Sequence, residues 1–333
     1  MQRPFFSVLI TTYNRSRIVA RCLDSSFDQQ FTDFEVVVVD DGSTDDTASM
    51  LSRRNDPRLT IVFHETNLGI SAARQTAVCH ARGEWLVIVD SDWALFPHTL
   101  RRLHEVVQEL PPGVRMIRSR MVYDDGHVTP ELLPAGVVDY VGRIKWLEAI
   151  AQGSGLSDAG HCIHRSVFER MPYYRDRRGA TEMLWELDLA KHEPSVFVPD
   201  VLGKQYADAP NSFLRSVERR ELIPRLLRDA PDMLWMAETT LAEHGSELAR
   251  HGPSQRHALV KSAAVQAFLV GERRRAIRHV RASLRRDKRD LMTWGALLLG
   301  LLGPRAVAHG ILGYRKWVAG TTSRRYGRDS TPR

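Results

Sequence analysis

The sequence predicts an α/β protein: a doubly wound sheet followed by a helical, arginine-rich C-terminal region. Three observations carry this expectation. Short apolar, β-branched runs alternate with segments of helical period over residues 6–110. Two of those runs end in carboxylates, Asp40-Asp41 and Asp90-Ser91-Asp92. From Leu214 onward the strand pattern fades, and Lys and Arg outnumber Asp and Glu by 24 to 11. That is +13 within a chain total of +7, so residues 1–213 are net acidic.

The elements follow in order. FSVLITTY, residues 6–13, reads as a buried strand, and residues 16–29 as a helix with Ser16 as its N-cap and Ile18, Cys22, Leu23 and Phe27 at helical spacing. Glu35 to Val39 is a second strand, Asp45 to Arg53 a helix, and LTIVFHE a third strand. NLGISAARQTAVCHARG is a helix for which Gly83 is the C-cap signal. EWLVIVDSDW is a fourth strand, and His98 to Leu110 a helix stopped by Pro111-Pro112-Gly113. Beyond it RMIRSRMVY reads as a strand, Val137 to Ile150 contains a helix, Gly153 to Gly160 is a loop, CIHRSVF runs from strand into helix, and MLWELDLAKH is a helix. Leu259 to Val270 and Glu272 to Arg286, joined at Gly271, form a helical hairpin; one such unit does not make a repeat array.

Composition narrows the class. With 333 residues and 43% apolar content, the chain can bury a core in one large domain plus a smaller one. Its three cysteines, Cys22, Cys79 and Cys162, have neither metal-like nor redox-like spacing, which points to a reducing compartment. The N-terminus runs straight into strand-like sequence without a signal peptide's apolar stretch, so a cytoplasmic location is expected. No stretch reaches about 18 uninterrupted apolar residues; WGALLLGLLG is cut by Pro304 and Arg305.

In open α/β sheets, ligands bind at the carboxyl ends of the strands, so sequence order alone brings Asp40, Asp41, Asp90 and Asp92 toward one rim. Two carboxylates one residue apart, Asp90 and Asp92, can face one hard cation. Such a cation, sharing its remaining positions with diphosphate oxygens, neutralises a departing diphosphate. A carboxylate in DDGS can accept from a base N–H or a ribose hydroxyl, with Gly42 allowing a sharp turn. Arg74, in a helix near the rim, can reach a phosphate. Taken singly, each of these residues also reads as a strand-end cap or an exposed helix residue.

Together, SVLITTYNR, EVVVVDDGSTDDT and NLGISAARQTAVCHARGEWLVIVDSDW resemble the catalytic domain of glycosyltransferase family 2, over residues 6–110 and more loosely to about 210. The resemblance implies a GT-A fold, that is, a Rossmann-like mixed sheet. It implies an enzyme: a metal-dependent, inverting transferase using Mn²⁺ or Mg²⁺ and a nucleotide-sugar donor, with a UDP-sugar favoured. Thr11, Tyr13 and Asp41 look like the residues that hold the nucleotide base, and Arg74 like a basic residue of the donor pocket. Asp90 and Asp92 look like the ribose and metal carboxylates. Many relatives carry a further Asp where this chain has Trp93. GATEMLWELDLA is similar to the segment that holds the family's catalytic acid. It puts Glu182 on the base position and Thr181 ahead of it, with Glu186 and Asp188 as alternatives. His161 and His164 are expected in structural or acceptor contacts, and Asp208 stands near where relatives place a pyrophosphate-side His. A QxxRW signature, which looks characteristic of processive synthases, is absent; transfer of single sugars is therefore expected.

The expected organisation is a catalytic domain at 1–213 (a nucleotide-sugar half, 1–110, and an acceptor half, 111–213), a basic helical region at 214–320 and a disordered tail at 321–333. The acceptor is expected to be a saccharide or a lipid-linked glycan of cell-surface polysaccharide synthesis. The arginines around Ile277, Val280 and Leu284, beside the apolar helix Met292 to Leu302, fit either internal packing or peripheral contact with an anionic membrane at the inner face of the plasma membrane. Nucleic acid is not an expected partner, because no recognition module or stacking pattern is present. Two other readings remain: a degenerate domain acting as a membrane-associated interaction module, and a sugar nucleotidyltransferase, which would need a Gly-rich phosphate loop that TTYNRSR lacks.

Overall fold

A computed structural model describes residues 3–129, 139–141, 160–177, 182–206, 208 and 219–313. Strands β1 (Phe6–Thr12), β2 (Phe34–Asp40), β3 (Leu59–Phe63) and β4 (Trp85–Asp90) are parallel neighbours in the order β3-β2-β1-β4. Helices α1 (Ser16–Phe27), α2 (Thr47–Ser52) and α3 (Ile70–His80) connect them. The order extends through β9 (Gly160–His164), β6 (Met116–Tyr123) and β10 (Ser195–Gln205) to β5 (Trp93–Leu95). The short strands β7 (Val128–Thr129) and β8 (Asp139–Val141) pair with β6 and β10. β9 is antiparallel to both β4 and β6, so the sheet is mixed. Helices α4 (Thr99–Gln108), α5 (Arg165–Arg170) and α6 (Glu182–His192) complete this part.

The central strands read as unbroken apolar runs because both faces of the sheet are covered. Successive side chains alternate faces. Val8, Val36, Val38, Val87 and Val89 join Cys22, Leu23 and Leu100 in one core, while Leu9, Val37, Val39, Leu86 and Ile88 join Ala73, Ala77, Trp185 and Leu189 in the other.

The chain divides into two compact units, one of residues 1–217 with 246–253, the other of 218–245 with 254–333. The two expected helices α8 (Pro253–Val270), which from residue 254 on belongs to the second, and α9 (Arg273–Arg286) are joined at Gly271, whose φ is +88°. The second unit also holds much of α7 (Arg219–His251), α10 (Leu291–Leu302) and a last helix, α11, over 304–313. Glu238 on α7 accepts from Arg275 and lies 2.8 Å from His279 Nε2, tying α7 to α9.

Several local expectations are corrected. Ser16 is the first residue of α1, and its N-cap, Arg15, makes no side-chain cap. Gly83 does not cap α3, which ends at Ala81 in extended backbone. Gly83 instead lies so close to β1 that a Cβ there would sit 2.5 Å from the Ser7 amide. The fourth strand stops at Asp90, and Trp93 opens β5, which pairs with β10 rather than continuing β4. Residues 139–141 are strand, and Gly160, expected in the loop, opens β9; the rest of 137–150, where a helix is expected, residues 153–159, Thr181 and the 321–333 tail lie outside the described residues.

Candidate active site

The direction of winding reverses between β1 and β4. β1, β2 and β3 step one way and β4 lies on the opposite side of β1. Such a switch point opens a crevice at the strands' carboxyl ends. Register brings the expected residues there: Thr11 is paired with Val39 on one side and Asp90 on the other, and Thr12 with Asp40. Thr11 is half-buried, and Tyr13, just beyond the strand, is exposed.

The DDGS loop is held rigidly. Ser43 Oγ donates to Asp40 and accepts from the Asn14 amide at 2.8 Å. Asn14 Oδ1 accepts from the Thr44 amide at 2.7 Å, and Asn14 takes a left-handed φ of 52° to do so. Gly42 has a φ of +70°, and a Cβ on it would meet the Thr66 backbone at 2.4 Å, so this turn requires glycine. Burial raises the Asp40 carboxyl's pKa despite its bonds from Ser43. Asp41 is buried and already engaged: its carboxylate accepts from the amides of Leu68 (2.9 Å) and Gly69 (2.8 Å) and lies 2.7 Å from His64 Nδ1. A carboxylate offers about four acceptor positions, and three of them are taken here.

Arg74 is central. Its guanidinium donates to Asp90 at 2.7 Å and to Glu182 at the start of α6. Burial works against its charge, but the Glu182 and Asp90 carboxylates prevail and raise its pKa. Its Nε–H is buried with no partner among the described residues. Thus the carboxylate expected on the donor side and the expected base share one guanidinium.

Asp92 is nine-tenths buried, with Arg15 Nη1 3.6 Å away; the same guanidinium donates to Ser91 at 3.0 Å. Burial and the neighbouring Asp90 charge push the Asp92 carboxyl up to about 6, against the pull of Arg15. Two hard oxygen donors that repel one another at a strand end suit a divalent cation, and the residues present fit one. Trp93 supplies no carboxylate to this rim; the residue is 6% exposed and belongs to the core that also contains Leu95 and Leu100.

The three acids of α6 divide their work. Glu182 meets Arg74, Glu186 is buried against Arg118 at 2.6 Å, and Asp188 accepts from Tyr174 at 2.6 Å. His161 Nε2 accepts from Arg118 at 2.8 Å. Burial first, with help from Arg118, pushes its pKa down to about 4, so it is neutral and its 3.5 Å approach to Glu186 is not an ion pair. Glu186 is ionised: burial opposes its charge, but Arg118 lowers its pKa. His164 accepts from the Ser166 amide, capping α5. Asp208 is held by Arg21 through two bonds of 2.9 Å, and that pairing lowers its pKa. Arg15, His64 and Arg118 were not singled out by the sequence. Arg15 sits inside the first motif, which is a usable signal, whereas Arg118 in a strand of mixed polarity gave none.

A mixed sheet with an acidic rim at its switch point, followed by helices, is the architecture of a GT-A glycosyltransferase. Residues 7–169 match the family model described as Glycosyl transferase family 2, and this segment is a family 2 glycosyltransferase domain. Over 102 residues the chain is 34% identical to the succinoglycan biosynthesis protein ExoO of Rhizobium meliloti, covering 31% of this chain and 29% of that protein. Over 96 residues it is 42% identical to a chondroitin synthase of Escherichia coli (28% and 14%). Over 129 residues it is 36% identical to the PGL/p-HBAD biosynthesis glycosyltransferase of Mycobacterium bovis (38% and 48%). The matched segment spans less than half the length of each of these relatives. The fold is similar to that of S. aureus TarS 1-349, solved in complex with UDP-GlcNAc, with a TM-score of 0.59 at 18% identity over 93% of this chain and 91% of that one. It is also similar to the mannosyltransferase PcManGT from Pyrobaculum calidifontis, solved with GDP-Man and Mn2+, with a TM-score of 0.50 at 20% identity over 98% and 89%.

Proposed function

We propose that this chain is an inverting, metal-dependent glycosyltransferase that moves a sugar from a UDP-sugar to a saccharide or lipid-linked acceptor in surface-polysaccharide assembly. The observation that carries this reading is Arg74, which joins Asp90 at the β4 end to Glu182 at the α6 N-terminus. One guanidinium thus spans the donor carboxylates and the base. The nucleotide-sugar complex of TarS and the Mn2+ complex of PcManGT support the donor class and the ion. Relatives named for succinoglycan and chondroitin synthesis support the setting. The catalytic part is assigned to 1–213 and the helical region to 214–320. Three cysteines with no disulfide fit a cytoplasmic location.

In this reading Thr11, Tyr13 and the last acceptor position of Asp41 hold the base, and Asp90 and Asp92 hold Mn²⁺ or Mg²⁺. When bound, the ion supplies Lewis-acid stabilisation of the departing diphosphate. Arg74 turns its spare Nε–H and then its other donors to phosphate oxygens, which releases Glu182. Glu182 takes the proton of the acceptor hydroxyl as its oxygen bonds to the anomeric carbon. The bond from that carbon to the diphosphate oxygen breaks, and the nucleoside diphosphate leaves with the electron pair. Direct displacement inverts the anomeric centre.

UDP release from a panel of UDP-sugars, with Mn²⁺ and oligosaccharide or lipid-linked acceptors, tests this assignment. Glu182→Gln is expected to lower acceptor-dependent turnover roughly 10²–10⁴-fold while UDP binding is kept. Unchanged turnover in that variant would remove Glu182 from the mechanism.

A further inference from the structure

We propose that α10 is a membrane-docking element that lies in the surface of an anionic bilayer. The helix is oriented against the usual rule of large apolar side chains inside. Its inward stripe consists of small residues, Thr293, Ala296 and Gly300. That stripe is fixed: Thr293 Oγ1 lies 2.9 Å from Ser283 Oγ of α9, and a Cβ on Gly300 would fall 2.3 Å from the Phe268 ring of α8. Rotating α10 to bury its leucines would put larger side chains where only a glycine fits. The outward stripe carries Leu291 (84% exposed), Trp294 (43%), Leu298 (63%), Leu301 (54%) and Leu302 (78%). These stand at i, i+3, i+7, i+10 and i+11, on one side of the helix.

An apolar stripe of this size on a folded unit marks a contact surface. Charge complementarity selects the occupant. Lys288 and Arg289 are exposed just before the stripe; the Trp294 indole N–H donates to the Lys288 carbonyl at 2.9 Å, seating the ring at that edge. At the other end Arg273 donates to the Leu301 carbonyl at 3.3 Å, and Arg305 is exposed one turn beyond. Apolar side chains with a tryptophan, flanked at both ends by cations, match lipid acyl chains under anionic headgroups. At 12 residues the helix is about 18 Å long, short of the ~20 residues needed to span a bilayer. No described helix is long and apolar enough to cross. α10 therefore lies along the interface. This contact stands independently of the transferase reading, because its readout is binding.

Sedimentation of the full chain with vesicles of phosphatidylcholine alone, or of phosphatidylcholine mixed with phosphatidylglycerol, tests it. The wild type is expected to bind the anionic vesicles, less so in high salt. The double variant Leu298→Asp/Leu301→Asp is expected to lose roughly tenfold or more in partitioning. The variant Arg289→Glu/Arg305→Glu should lose binding while keeping the apolar stripe. Both variants replace exposed side chains, and circular dichroism with gel filtration verifies their fold. Binding that is absent, equal on neutral and anionic vesicles, or unchanged in both variants overturns the proposal. So does a wild-type dimer that the Leu298→Asp/Leu301→Asp variant dissolves without any vesicle binding, which would make the stripe a contact between two copies.

Discussion

At the scale of single residues, the rim works by sharing charge. Arg74 pairs with Asp90 and Glu182 at once, offsetting one of their two charges, and Arg15 partly offsets Asp92. Beneath them Arg118, Glu186 and His161 form a buried cluster that anchors α6 to β6 and β9. That cluster has a pH signature. His161 titrates at about 4 in the fold against 6.5 as an unperturbed group, so between those values the unfolded chain binds a proton the folded chain refuses. The stability linked to His161 is fully present above 6.5 and is lost as pH falls toward 4. His161→Gln keeps an acceptor for Arg118 and removes the titration. Its urea-unfolding free energy is expected to depend less steeply on pH than the wild type's between pH 4 and 6.5, by up to about 1.4 kcal/mol per unit. Equal slopes would show that His161 takes up its proton in the fold as readily as in the unfolded chain. Which residue types could serve at the rim was legible in the sequence, since Asp90, Asp92 and Arg74 lie in local motifs. The partners were not, because Arg74 and Glu182 are 108 positions apart and only the fold brings them together.

At the scale of elements, the strands were legible because double-sided burial demands continuous apolar runs, and the helices because their apolar period is 3.6. What failed was local and backbone-driven. Gly83 reads as a helix cap, but the reason for glycine is the approach of its backbone to β1, where Ser7 Oγ accepts from the Gly83 amide at 2.8 Å and donates to the buried Glu35 at 2.7 Å. Gly83→Ala is accordingly expected to cost about 1–3 kcal/mol in unfolding free energy, as overpacking does. A cost within a few tenths of a kcal/mol would mean that β1 and the α3–β4 turn can part without strain. Trp93 likewise read as the end of β4. It opens a separate strand because its backbone pairs with Gln205, 112 positions away, a contact no local pattern announces.

At the scale of the whole molecule, the strand order β3-β2-β1-β4 does the functional placing. By reversing between β1 and β4 it sets Thr11 against Asp90 and leaves Asp41 and Asp92 on the same rim. The alternating element order made this class of sheet readable in advance, whereas the pairing of β5 with β10 was not. In the function proposed above, this rim binds a nucleotide through a divalent cation. The most direct test is the melting temperature of the wild type and of Asp92→Asn with UDP, GDP, dTDP or CDP, each with and without Mn²⁺. A ligand at a hundredfold excess over its Kd stabilises the folded state by about 2.7 kcal/mol, a shift of several degrees. UDP is expected to raise the wild-type melting temperature only with Mn²⁺, and Asp92→Asn is expected to lose the effect. If no nucleotide shifts the wild type with metal present, or if Asp92→Asn responds as the wild type does, the rim is not the donor site.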